Sequence, residues 1–134
     1  KRMMEIKEAT GVLFQPMLSG IELFAGVKKE PAFGHMILFG LGGIFIEVLK
    51  DVRTVLAPAS KEEIGRELKQ LASYKIIEGV RGQGGVNQTM FVDVISRLSA
   101  LVAAAPEISE MDLNPLLGTA DSVVAVDARI KLKK

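Results

Sequence analysis

Cysteine is absent from the 134 residues. That excludes a disulfide scaffold, a thiolate nucleophile and a Cys-ligated zinc site. It is compatible with a reducing cytoplasm, the compartment expected here. Tryptophan is also absent and histidine occurs once, at His35, so a site built from several histidines is excluded. Six Phe and one Tyr are too few to form the stacking platforms that hold single-stranded nucleic acid. Lys and Arg number 17 against 16 Asp and Glu, so neither nucleic acid nor a membrane surface is expected as a partner. The longest apolar stretch, Met36 to Leu49, is broken by Gly40, Gly42, Gly43 and Glu47 and is too short to span a bilayer.

What is present is an apolar fraction of 49%, enough for one domain with its own core. The chain opens Lys1-Arg2-Met3-Met4, without an initiator Met, and is expected to be a piece of a longer polypeptide. Residues 1–10 read as a linker or a frayed helix end, and 131–134 as a basic tail.

Between these ends the pattern predicts strands first. Val12, Leu13 and Phe14 favour a strand over 11–18, ended by Pro16, which has no N–H for a ladder. Ser19-Gly20 signals a turn. Over 21–28 the alternation puts Ile21, Leu23, Ala25 and Val27 on one face and Glu22, Phe24, Gly26 and Lys28 on the other. A Pro- and Gly-containing connection over 29–34 leads to a third strand over 35–39. His35 at its start reads as a strand-end histidine, because no carboxylate lies at a useful spacing. Gly40, Gly42 and Gly43 admit two readings: close backbone approach to a ligand, or a tight turn or bulge between strands. The Lys-Ser/Thr of a P-loop does not follow. Residues 44–49 then read as a continuing strand carrying Glu47, with Arg53 as a candidate partner for that carboxylate.

Two helices follow. Ser60 and Glu63 make a capping box for a helix reaching Leu71 or Tyr74. Asn87 caps a second, over 87–105, with Phe91, Val94, Ile95, Leu98, Leu101 and Val102 at helical spacing. Residues 76–85 between them read as a glycine-rich loop, in which Arg81 is either an anion-binding guanidinium or an ordinary exposed arginine. The last two strands, 109–117 and 123–129, carry Asp112, Asn114 and Asp127. Asp112 and Asn114 are two apart and share a strand face, and a hairpin would bring Asp127 to them. Oxygen donors so grouped suit a hard cation such as Mg²⁺ on phosphates, but the same alternation marks any half-exposed hairpin. The element order predicts an α+β layer: a mainly antiparallel sheet with two helices packed on one face.

The segments GVLFQPML-SGIELFAGVKKEPAFGHMILFGLGGIFIEVLKDV, EGVRGQ, PEISEMDLNPLL and VVAVDARI resemble, in order and spacing, the ATP-grasp domain of NDP-forming acyl-CoA synthetases. These are the ADP-forming acetyl-CoA synthetases, relatives of the succinyl-CoA synthetase β subunit. The resemblance covers nearly all of residues 11–130. It implies the C-terminal part of an ATP-grasp domain, with Mg²⁺ and ATP or ADP as ligands. The reaction implied is acyl-CoA, ADP and phosphate exchanging with a carboxylic acid, ATP and CoA through a phosphohistidine. Asn114 and Asp127 match the metal ligands. Asp112 stands where relatives carry Glu, one carbon longer. Gln15 matches a hinge residue beside the adenine, framed by the backbone of Phe14, Pro16, Met17 and Leu18. Glu22 matches a carboxylate near the ribose, and Arg129 a basic residue that faces phosphate. Glu47 matches a strand carboxylate after the glycine turn. His35 does not align with the family's phosphorylated histidine. The lysine-bearing first half of the fold, that histidine and the CoA-binding and ligase domains are expected outside these residues, so the chain alone is expected to be inactive. Two alternatives stay open: a regulatory ATP-grasp module of a fused protein lysine acetyltransferase, and a structural module that has lost nucleotide binding.

Overall fold

The computed structural model describes residues 5–82 and 84–133. Lys1 to Met4 of the expected linker, Gln83 of the glycine-rich loop and Lys134 of the expected tail lie outside the described residues. Six strands form one sheet: β1 Ile21–Glu30, β2 Gly34–Leu41, β3 Val52–Leu56, β4 Ile108–Gly118, β5 Val123–Ala125 and β6 Ala128–Leu132. Among the described residues there are also four helices: α1 Ile44–Glu47, α2 Lys61–Leu68, α3 Tyr74–Glu78 and α4 Gln88–Ala104. The order across the sheet is β3-β2-β1-β4-β5, with β6 also on β4, and every pairing is antiparallel. The α+β architecture expected from the element order is therefore the one observed.

The alternation read for 21–28 holds in three dimensions. Leu23, Ala25 and Val27 are buried on one face of β1, and Ile37, Phe39 and Leu41 of β2 join them in the core. Ile64 and Leu68 of α2, Ile77 of α3 and Phe91, Ile95, Leu98 and Val102 of α4 close over that face. Phe39 and Phe91 meet edge to face, with centroids 6.4 Å apart and planes at 84°, the geometry that the ring quadrupoles favour. Both helix caps read from the sequence are made. The Glu63 N–H donates to Ser60 Oγ at 3.1 Å, and the Met90 N–H to Asn87 Oδ1 at 3.0 Å.

Three expected elements differ. Residues 11–18 form no strand; they run as exposed irregular chain. The reason is topological: β1 already has β2 on one side and β4 on the other, so no ladder edge remains beside it. Residues 44–49 are a single helical turn and its exit, not a strand. Gly43, at φ +59° and ψ −135°, turns the chain off the sheet, and the edge of β2 is taken by β3 instead. β-propensity of the IFIEVL run does not decide its fate, because propensity expresses fit to a sheet that is not available there. The helix expected to reach Leu71 or Tyr74 ends at Leu68, and residues 76–78 of the expected loop belong to α3, Tyr74–Glu78. Asp51, more than twenty residues earlier, accepts from the Ala72 N–H at 3.0 Å, from the Ser73 N–H at 2.8 Å and from the Ser73 hydroxyl, and so anchors the turn that starts it. At the C-terminus β6 runs to Leu132, so the strand takes in Lys131 from the segment read as a tail.

Candidate nucleotide and metal groove

The face of the sheet opposite the helical layer carries the polar residues of the strands. A groove of about 600 Å³ runs along it, lined by Phe24, Gly26 and Lys28 of β1, Leu38 of β2, Glu110, Asp112 and Asn114 of β4, and Arg129 and Lys131 of β6, with Ile46 of α1 at one side. Register orders these groups into rows. Lys28 pairs with Glu110, which pairs with Lys131; Gly26 pairs with Asp112, which pairs with Arg129. Acidic groups thus run down the middle strand with cations on its flanks. Lys28 Nζ also binds Glu30 at 2.7 Å. That hydrogen bond and the charge of Glu30 raise the Lys28 pKa above its ordinary value, with Glu110 adding to them against the opposing effect of burial, so Lys28 stays cationic.

Two irregularities bring Asn114 and Asp127 to the same place. Between Leu23 and Ala25, β1 advances two residues while β4 advances three, from Leu113 to Leu116. The extra residue is a β-bulge at Asn114-Pro115. It lets Leu113 and Leu116, three apart, both reach the core while Asn114 stays on the groove side. On the other flank of β4, β5 pairs with residues 116–118 and β6 with residues 108–113. The break between them, Val126-Asp127, falls opposite the bulge, and the Val126 N–H donates to the Pro115 carbonyl at 3.0 Å. Asp127 Oδ1 accepts from the Ala128 N–H at 2.9 Å, and Oδ2 lies 3.7 Å from Arg129 Nε. Arg129, whose backbone pairs in register with Asp112, thus reaches Asp127 with an exposed guanidinium. Among the described residues no group of three or more His, Cys, Asp or Glu is arranged to hold a metal; the donor set here is two carboxylates and a carboxamide.

At the other end of the open face, Glu22 lies against the glycine turn. The Gly42 N–H donates to the Glu22 carbonyl at 2.8 Å, and both line a hollow of about 420 Å³ with Ile21, Leu41, Gly43, Ile44, Phe45 and Ile76. Glu22 and Gly26 are four residues apart on β1, about 13 Å at strand rise. Asn114, in the bulge opposite residue 24, lies closer to Glu22 along the sheet, about 7 Å at strand rise.

The remaining sequence-derived candidates scatter. Phe14, Gln15, Pro16, Met17 and Leu18 are exposed, Phe14 at 85% and Met17 at 98%, and none lines the groove. Glu47 is exposed on α1 beside Ile46. Arg53 is not paired with Glu47; its guanidinium donates to the Gln70 carbonyl at the end of α2 and lies near Asp51. Arg81 sits in a turn at φ +51°, away from the residues of the groove. His35 is on the core face, and its Nε2–H donates to the Ile108 carbonyl at 2.7 Å. Lys28, Glu110 and Lys131 were missed by motif reasoning; the signal that finds them is register, which a single strand does not reveal.

The comparisons with known proteins point to one family. The chain is 42% identical over 123 residues to the β subunit of the ADP-forming acetate–CoA ligase I of Pyrococcus furiosus, covering 91% of this chain and 53% of that protein. It is 42% identical over 130 residues to the β subunit of ligase II of the same organism, covering 94% of this chain and 55% of that one. The chain spans about half the length of the curated relatives it matches. Among solved structures, the dinucleotide-forming acetyl-coenzyme A synthetase 1 of Ca. Korarchaeum cryptofilum, in complex with coenzyme A and Mg-AMPPCP, superposes with a TM-score of 0.82 at 37% identity, over 90% of this chain and 55% of that chain. The ATP-grasp domain family matches residues 1–132, and with sheet, groove and relatives in agreement this chain belongs to the ATP-grasp domain family.

Proposed function

We propose that this chain supplies the nucleotide- and Mg²⁺-binding wall of an NDP-forming acyl-CoA synthetase, which interconverts acyl-CoA, ADP and phosphate with carboxylic acid, ATP and CoA. The observation that carries this reading is that Asp112 and Asn114 line one open-face groove with Arg129, while the chain at Asp127 is joined to the bulge next to Asn114 through the Val126–Pro115 bond. Two carboxylates and a carboxamide are hard oxygen donors, the set that Mg²⁺ takes; all three residues are exposed, and Asp112 and Asn114 line the groove. They fit the ion. Bound there, Mg²⁺ would neutralise phosphate charge during phosphoryl transfer.

The chain's own residues do the rest. Arg129, with the planar fork of donors of a guanidinium, offers them to phosphate oxygens beside the acidic groups. Phe24 and Leu38 give the groove an apolar floor that excludes water from beneath a bound nucleotide. Glu22 accepts from a ribose hydroxyl, and the 14–18 segment frames the base once the other half of the cleft packs on it. The CoA-binding and ligase domains, with the phosphohistidine, act as partners within the same enzyme, and the cytoplasm is the compartment.

Titration calorimetry of Mg·ADP into the full-length enzyme containing this chain tests the reading. Binding is expected in the wild type, with Asp127→Asn and Asn114→Ala each weakening it about tenfold or more. Equal affinity in all three proteins would overturn it. The isolated 134 residues are expected to show no acyl-CoA-dependent ATP synthesis, and a measurable rate would disprove that division of labour.

A further inference from the structure

The Gly42-Gly43 pair meets Glu22 at several points. The Gly42 N–H holds the Glu22 carbonyl at 2.8 Å. A Cβ placed on Gly42 would stand 3.3 Å from Glu22 Cβ and 3.4 Å from the Leu23 carbonyl oxygen. A Cβ placed on Gly43 would stand 2.9 Å from Glu22 Oε2, closer than a carbon and a carboxylate oxygen tolerate. Gly43 also has φ +59° and ψ −135°, a backbone region open to glycine at little cost. Gly43 therefore does two things: it turns the chain into α1, and it leaves the space that the Glu22 carboxylate occupies. Glu22 lies at the hollow formed with Ile21, Leu41, Ile44, Phe45 and Ile76, about two residues along β1 from the row of the Asn114 bulge.

We propose that Gly43, seconded by Gly42, is a positioning residue for the Glu22 carboxylate. The absence of side chains at 42 and 43 sets the rotamer from which Glu22 accepts a sugar hydroxyl, and so sets the discrimination between ribo- and deoxyribonucleotides. This rests on the nucleotide reading above. It assigns the glycine turn a role in sugar selection; the absence of a Lys-Ser/Thr sequence after it argues against a phosphate cradle there. A side chain at 43 displaces the carboxylate without removing it.

The test uses the full-length enzyme, with affinities for Mg·ADP, Mg·2′-deoxy-ADP and Mg·3′-deoxy-ADP measured by calorimetry. Wild type is expected to prefer ADP to one of the deoxy forms by about tenfold, the loss of one charge-assisted hydrogen bond. Glu22→Gln is expected to abolish most of that preference. Gly43→Ala is expected to abolish it to the same degree with Glu22 intact, and adding Glu22→Gln to Gly43→Ala is expected to change nothing further, as coupled residues behave. Should Gly43→Ala fail to fold, Gly42→Ala, whose backbone is not in the positive-φ region, carries the same expectation through its contact with Glu22 Cβ. A glycine variant that weakens ADP and deoxy-ADP by equal factors, or that keeps the wild-type preference, overturns the proposal. So does a wild type that binds Mg·ADP without any sugar preference. A wild type that binds no Mg·ADP instead refutes the nucleotide reading itself, which keeps the two failures distinct.

Discussion

The Val126 N–H donates to the Pro115 carbonyl at 3.0 Å, joining the break between β5 and β6 to the bulge in β4. The bond holds the chain at Asp127 next to the Asn114-Pro115 bulge. Asp127→Asn separates charge from structure at that point. A carboxamide oxygen can still accept from the Ala128 N–H, as Asp127 Oδ1 does at 2.9 Å, while the negative charge is gone. The expected outcome in the full-length enzyme is a Kd for Mg·ADP raised about tenfold or more, about 1.4 kcal/mol per decade. The thermal midpoint should change little, because Asp127 is exposed. Calorimetry paired with a melting curve reads both.

His35 is the only histidine, yet its Nε2–H is spent on the Ile108 carbonyl at the foot of β4, on the face away from the groove. His35→Gln, which keeps a donor, is therefore expected to leave acyl-CoA-dependent ATP synthesis of the full-length enzyme within a few-fold of wild type. His35→Ala leaves the Ile108 carbonyl without that partner and is expected to cost about 1–2 kcal/mol of stability. Loss of turnover in the Gln variant with an unchanged melting curve would give His35 a chemical role that its position denies.

Asp51 gives the fold an acid sensitivity. Partial burial works against its charge, but the bonds from Ser73 and Ala72, with Arg53 nearby, outweigh burial and hold its pKa below the ordinary carboxylate value. A group with a depressed folded-state pKa contributes its stability in full above the unfolded pKa, about 3.9, and loses it as pH falls through the folded value. Asp51→Asn is expected to destabilise by about 1 kcal/mol at neutral pH, with the gap to wild type closing below about pH 4. Denaturant titrations of both proteins across that range check the sign. A gap that widens toward acid contradicts it.

Phe91 is fully buried and meets Phe39 edge on. Phe91→Ala empties the centre of the core and is expected to cost about 3–5 kcal/mol. Phe91→Leu keeps most of the apolar volume, loses the edge-to-face contact and is expected to cost about 1–2 kcal/mol. A denaturation midpoint series of the three proteins orders them.

Elements whose signals are local were legible in advance. The caps at Ser60 and Asn87, the helical spacing of Phe91, Ile95, Leu98 and Val102, and the alternation along Ile21 to Lys28 depend on neighbours a few residues away. The structure reproduces each of them. Residues 11–18, 44–49 and 76–78 depart from their local pattern for one common reason: their conformations depend on distant partners. Residues 11–18 find both sides of β1 occupied, residues 44–49 find their sheet edge taken by β3, and α3 is anchored by Asp51.

The site divides in the same way. By itself the sequence determined which groups are available: the oxygen donors Asp112 and Asn114 on one face of one strand, Asp127 shortly after, glycines before a helical turn, and the family resemblance those segments carry. Only the tertiary structure decided that the β4 bulge and the β5–β6 break coincide, that Lys28, Glu110 and Lys131 form a row beside the acidic groups, and that Gly43 lies against the Glu22 carboxylate. Side-chain period along one strand is local and can be read from composition and spacing. Register between strands is set by core packing across the whole sheet, where a slip of one residue exchanges the two faces, and no single segment encodes it.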